Sequence, residues 1–163
     1  MQNTKTRKTR AELIRHEVTK YLTGRGMSCH YEVGLNSRGK LRADILALNY
    51  KRHMTVVEVK SSMADFVSDK KYLGYLPLST SMYFAFDSDF KITDAIKNEI
   101  KSHGIGILIV DCNCTKLHLY RSKSVKVLLG AKTRVMCGEA KRDIIVRLAY
   151  RNGKLRTNKN TWK

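Results

Sequence analysis

Asp44, Glu58 and Lys60 are the residues whose types and spacing could do chemistry. Strand side chains alternate between faces, so Glu58 and Lys60, in the run VVEVK, point to the same side. Asp44 lies in the preceding apolar run, RADILAL, and a hairpin through the polar residues 49–53 brings it beside them. Two carboxylates and one ammonium thus converge on one side of an otherwise hydrophobic sheet, where unpaired charge is costly. The carboxylates and the main-chain carbonyl of Val59 are hard oxygen donors suited to Mg2+ or Mn2+. Such an ion polarises a phosphate and lowers the pKa of a bound water, and Lys60 can orient that water or stabilise developing negative charge. The chemistry this suits is phosphodiester hydrolysis. The alternative is an ordinary Glu–Lys cross-strand pair, which contributes at most about 1 kcal/mol.

The elements that must position these residues follow from periodicity. Residues 9–23 read as a helix with Leu13, Ile14, Val18, Tyr21 and Leu22 on one stripe and Gly24 at its end. Strands are expected at 28–33, 41–48, 54–61 and 81–86 and in GILIVD, with an edge strand at 116–120. Ser62 and Asp65 have capping-box spacing at the start of a helix that should run to about Tyr75. Ile92, Ile96 and Ile100 repeat as a helix face closed by Gly104, and residues 139–152 form a last amphipathic helix with Gly153 as its stop. Strands and helices alternate, so the fold class is α/β, a mixed central sheet flanked by helices on both faces.

The spacing D44-x13-E58-x-K60 on a hairpin followed by a helix resembles the core of the PD-(D/E)XK nuclease superfamily, with Ala43 where that name has a proline. From Glu32 to Tyr150 the segments RADILAL, VVEVKSSMADFVSDKKYLGY, MYFAF and HGIGILIVD resemble the MmcB-like DNA repair proteins. The resemblance implies a restriction-endonuclease-like core and a DNA-related role. By position it makes Asp44 and Glu58 metal ligands and Lys60 the lysine of the motif. Many members of the wider superfamily add a glutamate from the leading helix, and Glu17, which shares the stripe of Leu13, Ile14 and Tyr21, fits that position. Lys71 resembles the lysine after the family's second aspartate; together with Lys70 and Arg42 it is expected to meet DNA phosphates. Tyr72 and Tyr75 read as packing residues.

Charge supports a polyanionic partner. Of 163 residues, 32 are Lys or Arg and 14 Asp or Glu, a formal charge of +18. Such an excess repels itself across a folded surface and suits nucleic-acid phosphates, with an anionic membrane surface a weaker match. Hydrophobic residues, 42% of the chain, suffice for one core and argue against disorder. The domain should span 9–153, between basic arms at 1–8 and 154–163 expected to be flexible; there Lys and Arg could embrace DNA and Trp162 stack on an unpaired base. No apolar run is long enough to cross a bilayer and the N-terminus lacks a signal-peptide core, so a cytoplasmic location is expected. Cys112 and Cys114 form a lone CxC without zinc-site partners, which suits reduced structural thiols.

The function expected from these readings is an Mg2+- or Mn2+-dependent DNA nuclease serving repair, recombination or defence. A non-catalytic DNA-binding module on the same fold and an RNA-directed nuclease are the alternatives. A homodimer is compatible with the sequence but not derivable from it.

Overall fold

The structure is a computed structural model that describes residues 4–36, 40–113 and 124–159, with side chains from Arg10 to Gly153 within those ranges. It is a mixed α/β fold around one six-stranded sheet in the order β1 to β6. The strands are β1 (Ser28–Gly34), β2 (Arg42–Leu48), β3 (Met54–Lys60), β4 (Ser81–Asp87), β5 (Gly106–Val110) and β6 (Val125–Leu129). β1, β2 and β3 run antiparallel, β3, β4 and β5 run parallel, and β6 returns antiparallel on the edge. All seven residues of β3 are buried, as expected of a central strand covered on both faces.

Helix α1 (Thr4–Thr23) covers one face. Its Ile14, Val18 and Leu22 pack against Ile45, Val57, Val59, Ala85 and Leu108. The other face is covered by α2 (Met63–Ser68), α3 (Tyr72–Tyr75), α4 (Asp94–Ser102) and α5 (Gly138–Lys159), around Leu46, Val56, Met82, Phe84 and Phe86. Phe66 and Tyr72 meet the Phe84 ring edge-on, each at 5.3 Å between centroids, which fastens α2 and α3 to β4. Arg10 ties the first half of α1 to the C-terminal end of β4 through Asp87 and through Asp89 at 2.6 Å.

Half of the capping box expected at α2 forms: Ser62 Oγ accepts from Asp65 N at 3.2 Å, whereas Asp65 Oδ2 accepts from Ser61 N at 3.3 Å, one residue before the N-cap. Gly104, at φ +64°, ends α4 in a left-handed turn. Four expectations need correction. The helix expected from Ser62 to Tyr75 breaks at Asp69, whose backbone is extended because its carboxylate accepts from Lys71 N, an Asx turn. Helix α4 starts at Asp94, so Ile92 precedes it. Helix α1 begins at Thr4 and α5 continues through Gly153 to Lys159, so helical backbone enters both arms; a single interior glycine costs only about 1 kcal/mol and need not stop a helix. β6 was not expected, because its short run VKVLL is mostly solvent-facing and lacks a clean alternation. The edge strand expected at 116–120, Cys114 and Trp162 lie outside the described residues. Among the described residues no helix is long and apolar enough to cross a membrane.

Candidate active site

The β2–β3 hairpin is closed by Asn49, whose Oδ1 accepts from His53 N at 3.0 Å while its carbonyl accepts from Arg52 N at 2.9 Å. The paired register runs from Leu48↔Met54 to Ile45↔Val57 and stops there. Beyond it the carboxylates take over from the ladder. Asp44 N donates to Glu58 Oε1 at 3.2 Å, and Val59 N donates to Asp44 Oδ2 at 2.8 Å. Each acid therefore satisfies a backbone donor near the other, and the two are locked together across parting strands. Among the described residues no hydrogen bond reaches the second oxygen of either acid.

Burial decides the electrostatics. Glu58 is 5% exposed; burial first, and then the charge of Asp44, push its carboxyl up to about 8. Burial also raises Asp44 above the usual carboxylate range, with Glu32 adding to the rise, against the opposing pull of the Val59 N–H, Arg15 and Lys60. Without a cation these two acids cannot both hold a charge at little cost near neutrality. Lys60 is 3% exposed and lies on the same face; its Nζ donates to Asp69 Oδ2 at 2.6 Å and sits 5.8 Å from the Phe84 ring centroid. Asp69 is held below its ordinary value: burial would raise it, but the bonds from Lys60 and Lys71 N outweigh that. The buried Tyr75 closes the floor. Its hydroxyl donates to Arg42 O at 3.0 Å, and burial together with Glu58, Asp69 and Asp44 holds its phenol protonated well above the usual range.

The structure thus brings Asp44, Glu58 and Lys60 together and adds Asp69, which sequence reasoning left without a role because it was read as one residue of a continuous helix. Val59 N joins the cluster directly. The bonds of Glu17 seen among the described residues do not reach this cluster. Helix α1 packs on the face of β3 that shows Val57 and Val59, and Glu17 accepts from Lys20 Nζ at 3.0 Å and from Ser124 Oγ. A stripe marks which side of a helix faces inward, but not which face of the sheet that helix covers.

Another acid stands closer. Glu32 lies between the register pairs Tyr31↔Ile45 and Val33↔Ala43, which puts it across from Asp44. Its carboxylate pairs with Arg42 at 2.8 Å and with Arg15 at 3.3 Å. The expected phosphate contacts are on the surface: Arg42 is engaged by Glu32, Lys70 lies 3.9 Å from Glu99, and Lys71 is exposed beside Asp69. Among the described residues no three His, Cys, Asp or Glu side chains are grouped as a metal ion would need.

A family model described as DNA repair protein MmcB-like matches residues 2–153. The chain belongs to the MmcB-like family. Membership gives it a DNA-related role and leaves its reaction open. Among solved structures, a protein of unknown function from Silicibacter pomeroyi is similar over 93% of this chain and 94% of its own, at 24% identity and a TM-score of 0.69, which supports the fold alone. No curated protein matches the chain.

Proposed function

We propose that this MmcB-like protein is a metal-dependent DNA nuclease built on a restriction-endonuclease-like core. The observation behind the reading is the interlocked pair of acids at the point where β2 and β3 part, Glu58 buried and Asp44 half-buried, with a buried lysine on the same face. Raised carboxyls, one of which feels the other's charge, call for either a proton or a cation.

A divalent cation fits this donor set. Asp44 and Glu58 each keep an oxygen without a hydrogen bond among the described residues, and Mg2+ is characteristically held by one or two carboxylates with water completing its shell. Those two acids and the Val59 carbonyl would hold it; Glu17, on the other face, is left out. When bound, the ion supplies charge to polarise a phosphate and acidify a water. The remaining steps belong to the chain. The Val59 N–H and the Asp44 N–H orient the two carboxylates. Asp69 uses one proton of the Lys60 ammonium and fixes its direction. The other two protons remain available to a phosphate oxygen or an attacking water, the placement that stabilises charge as it develops. The buried Phe84 ring beside the ammonium keeps the lysine's surroundings dry, which strengthens each of these interactions.

A second reading is a DNA-binding module that does not cleave, which family membership and the formal charge of +18 support without requiring any chemistry. Supercoiled plasmid incubated with Mg2+, Mn2+ or EDTA, beside the Glu58→Ala protein, separates the two. Metal-dependent nicking or linearisation that disappears in Glu58→Ala is expected. Tight binding without cleavage of supercoiled, linear or branched DNA under either metal would sink the nuclease reading and leave the binding module. Competition between matched DNA and RNA duplexes tests the substrate class.

A further inference from the structure

At the opposite end of the β2–β3 hairpin, the turn and the start of α5 enclose an open cleft of about 500 Å3 lined by Lys51, Arg52, Lys141 and Arg142, with Glu139 as its one acid. Among the described residues none of these four cations makes an ion pair, so Glu139 is the one opposite charge lining the cleft. Lys141 and Arg142 also sit in the first turns of α5, where the helix dipole is positive and cations are disfavoured. Left alone, the cleft works against the fold. A bound polyanion would offset this repulsion with attraction to all four cations. Beside it Tyr50 is 87% exposed, with Lys51 Nζ at 5.8 Å from its ring centroid, a large aromatic left in solvent next to the charge.

The placement relative to the carboxylate pair is set by α5. The helix starts in the cleft, and Arg151 further along donates to the carbonyls of Tyr31 at 2.6 Å and Glu32 at 3.2 Å, next to Asp44. At 1.5 Å per residue the span from Gly138 to Arg151 is about 20 Å, or roughly six base pairs of duplex at about 3.4 Å each.

We infer that this cleft is a second DNA contact, which grips the phosphodiester backbone about six base pairs from the carboxylate pair. The inference rests on the reading that the protein acts on DNA, and not on cleavage. Binding of a labelled 20-base-pair duplex in EDTA, followed by fluorescence anisotropy across a NaCl series, tests it. The variant K51A/R52G/K141A/R142A is compared with wild type and with a charge-matched control, K91A/K97A/K101A/K132A. With one released counterion per lost phosphate contact, the slope of log K against log salt should become shallower by about 3 to 4 in the cleft variant and by less than about 1 in the control. The half variants K51A/R52G and K141A/R142A should each give about half the change, which guards against misfolding of the fourfold variant. An equal change in the control would show that overall charge alone binds DNA and would overturn the inference, as would an unchanged slope in the cleft variant. Wild type that fails to bind the duplex at low salt would overturn the DNA reading itself.

Discussion

The two ends of the β2–β3 hairpin handle charge in opposite ways. Near Asp44 and Glu58 the charges are buried or half-buried, few and fixed by named partners, with the carboxylates standing in for missing ladder bonds. At the turn they are exposed or, for Lys141, half-buried, all but one of one sign, and without ion pairs among the described residues. The difference follows from what each end can hold. A buried charge must be paired or neutralised, so the fold defines its geometry; an exposed charge costs little to present and is useful only to a ligand. On the proposed reading the first end acts at one atom and the second attracts a chain of phosphates.

The comparison breaks most visibly if the buried end does not control activity. Lys60→Ala should lower DNA cleavage on the order of 10²–10³-fold, as removal of a preorganised donor does elsewhere, and leave duplex affinity in EDTA within about threefold. Cleavage by Lys60→Ala at the wild-type rate would remove Lys60 from the chemistry. Next in size is stability. Asp69→Ala leaves a lysine that is 3% exposed without its partner and should cost about 3 kcal/mol in urea unfolding. Lys60→Met combined with Asp69→Ala should recover most of that loss, since an apolar side chain suits the space beside Phe84. If the double variant is no more stable than the single one, the buried pair is not what Asp69 contributes.

How much of this was legible in the sequence depended on whether a signal was local. Asp44, Glu58 and Lys60 were readable because charges inside an apolar run obey the period-2 alternation of a strand. The Ser62–Asp65 cap was readable for the same reason, a short fixed spacing. Asp69 was not, because a helix pattern covered it and only its Asx turn and the reach of Lys60 draw it out of the helix. Glu17 shows the limit of periodicity, since a stripe cannot reveal which layer it faces. The basic cleft was hidden because Lys51 and Lys141 meet only through the packing of α5, a relation no window along the chain contains. Glu32 needed the β1–β2 register, which the sequence does not fix.

The pH dependence sharpens the contrast further. Glu58 has a folded pKa near 8, above its ordinary 4.5, so the folded protein holds a proton that the unfolded chain has released between those values. Stability from this group is therefore full below about pH 4.5 and lost as pH rises through about 8. Glu58→Gln keeps the shape without the ionisation, and its stability relative to wild type should improve by about 3 to 4 kcal/mol between pH 5 and pH 8 in the absence of divalent metal. Mg2+ or Mn2+ at pH 8 should raise the melting temperature of wild type and not of Glu58→Gln. A stability difference that stays flat from pH 5 to 8 would mean that Glu58 ionises normally. Exchanging the cations of the turn should leave this profile where it is.

The smallest effect concerns backbone strain, which both ends contain. Glu32 and Arg52 are the described non-glycine residues with positive φ, at +51° and +61°. A left-handed residue with a side chain costs about 1–2 kcal/mol, more than the entropy penalty of about 0.5–1 kcal/mol for glycine. The same substitution should therefore have opposite signs at the two ends. Arg52→Gly relieves strain and removes a cation with no ion pair among the described residues, so unfolding should become harder by about 0.5 kcal/mol while duplex affinity falls. Glu32→Gly relieves similar strain but takes away the acid that pairs Arg42 and Arg15, leaving two cations facing each other beside Asp44. It should be neutral to destabilising by about 1 kcal/mol, since each partly exposed pair contributes up to about 1 kcal/mol. Parallel urea titrations of the two variants check this. A gain in both would mean that the Glu32 pairs contribute nothing; a loss in both would mean that Arg52 has a structural task in the turn beyond presenting charge.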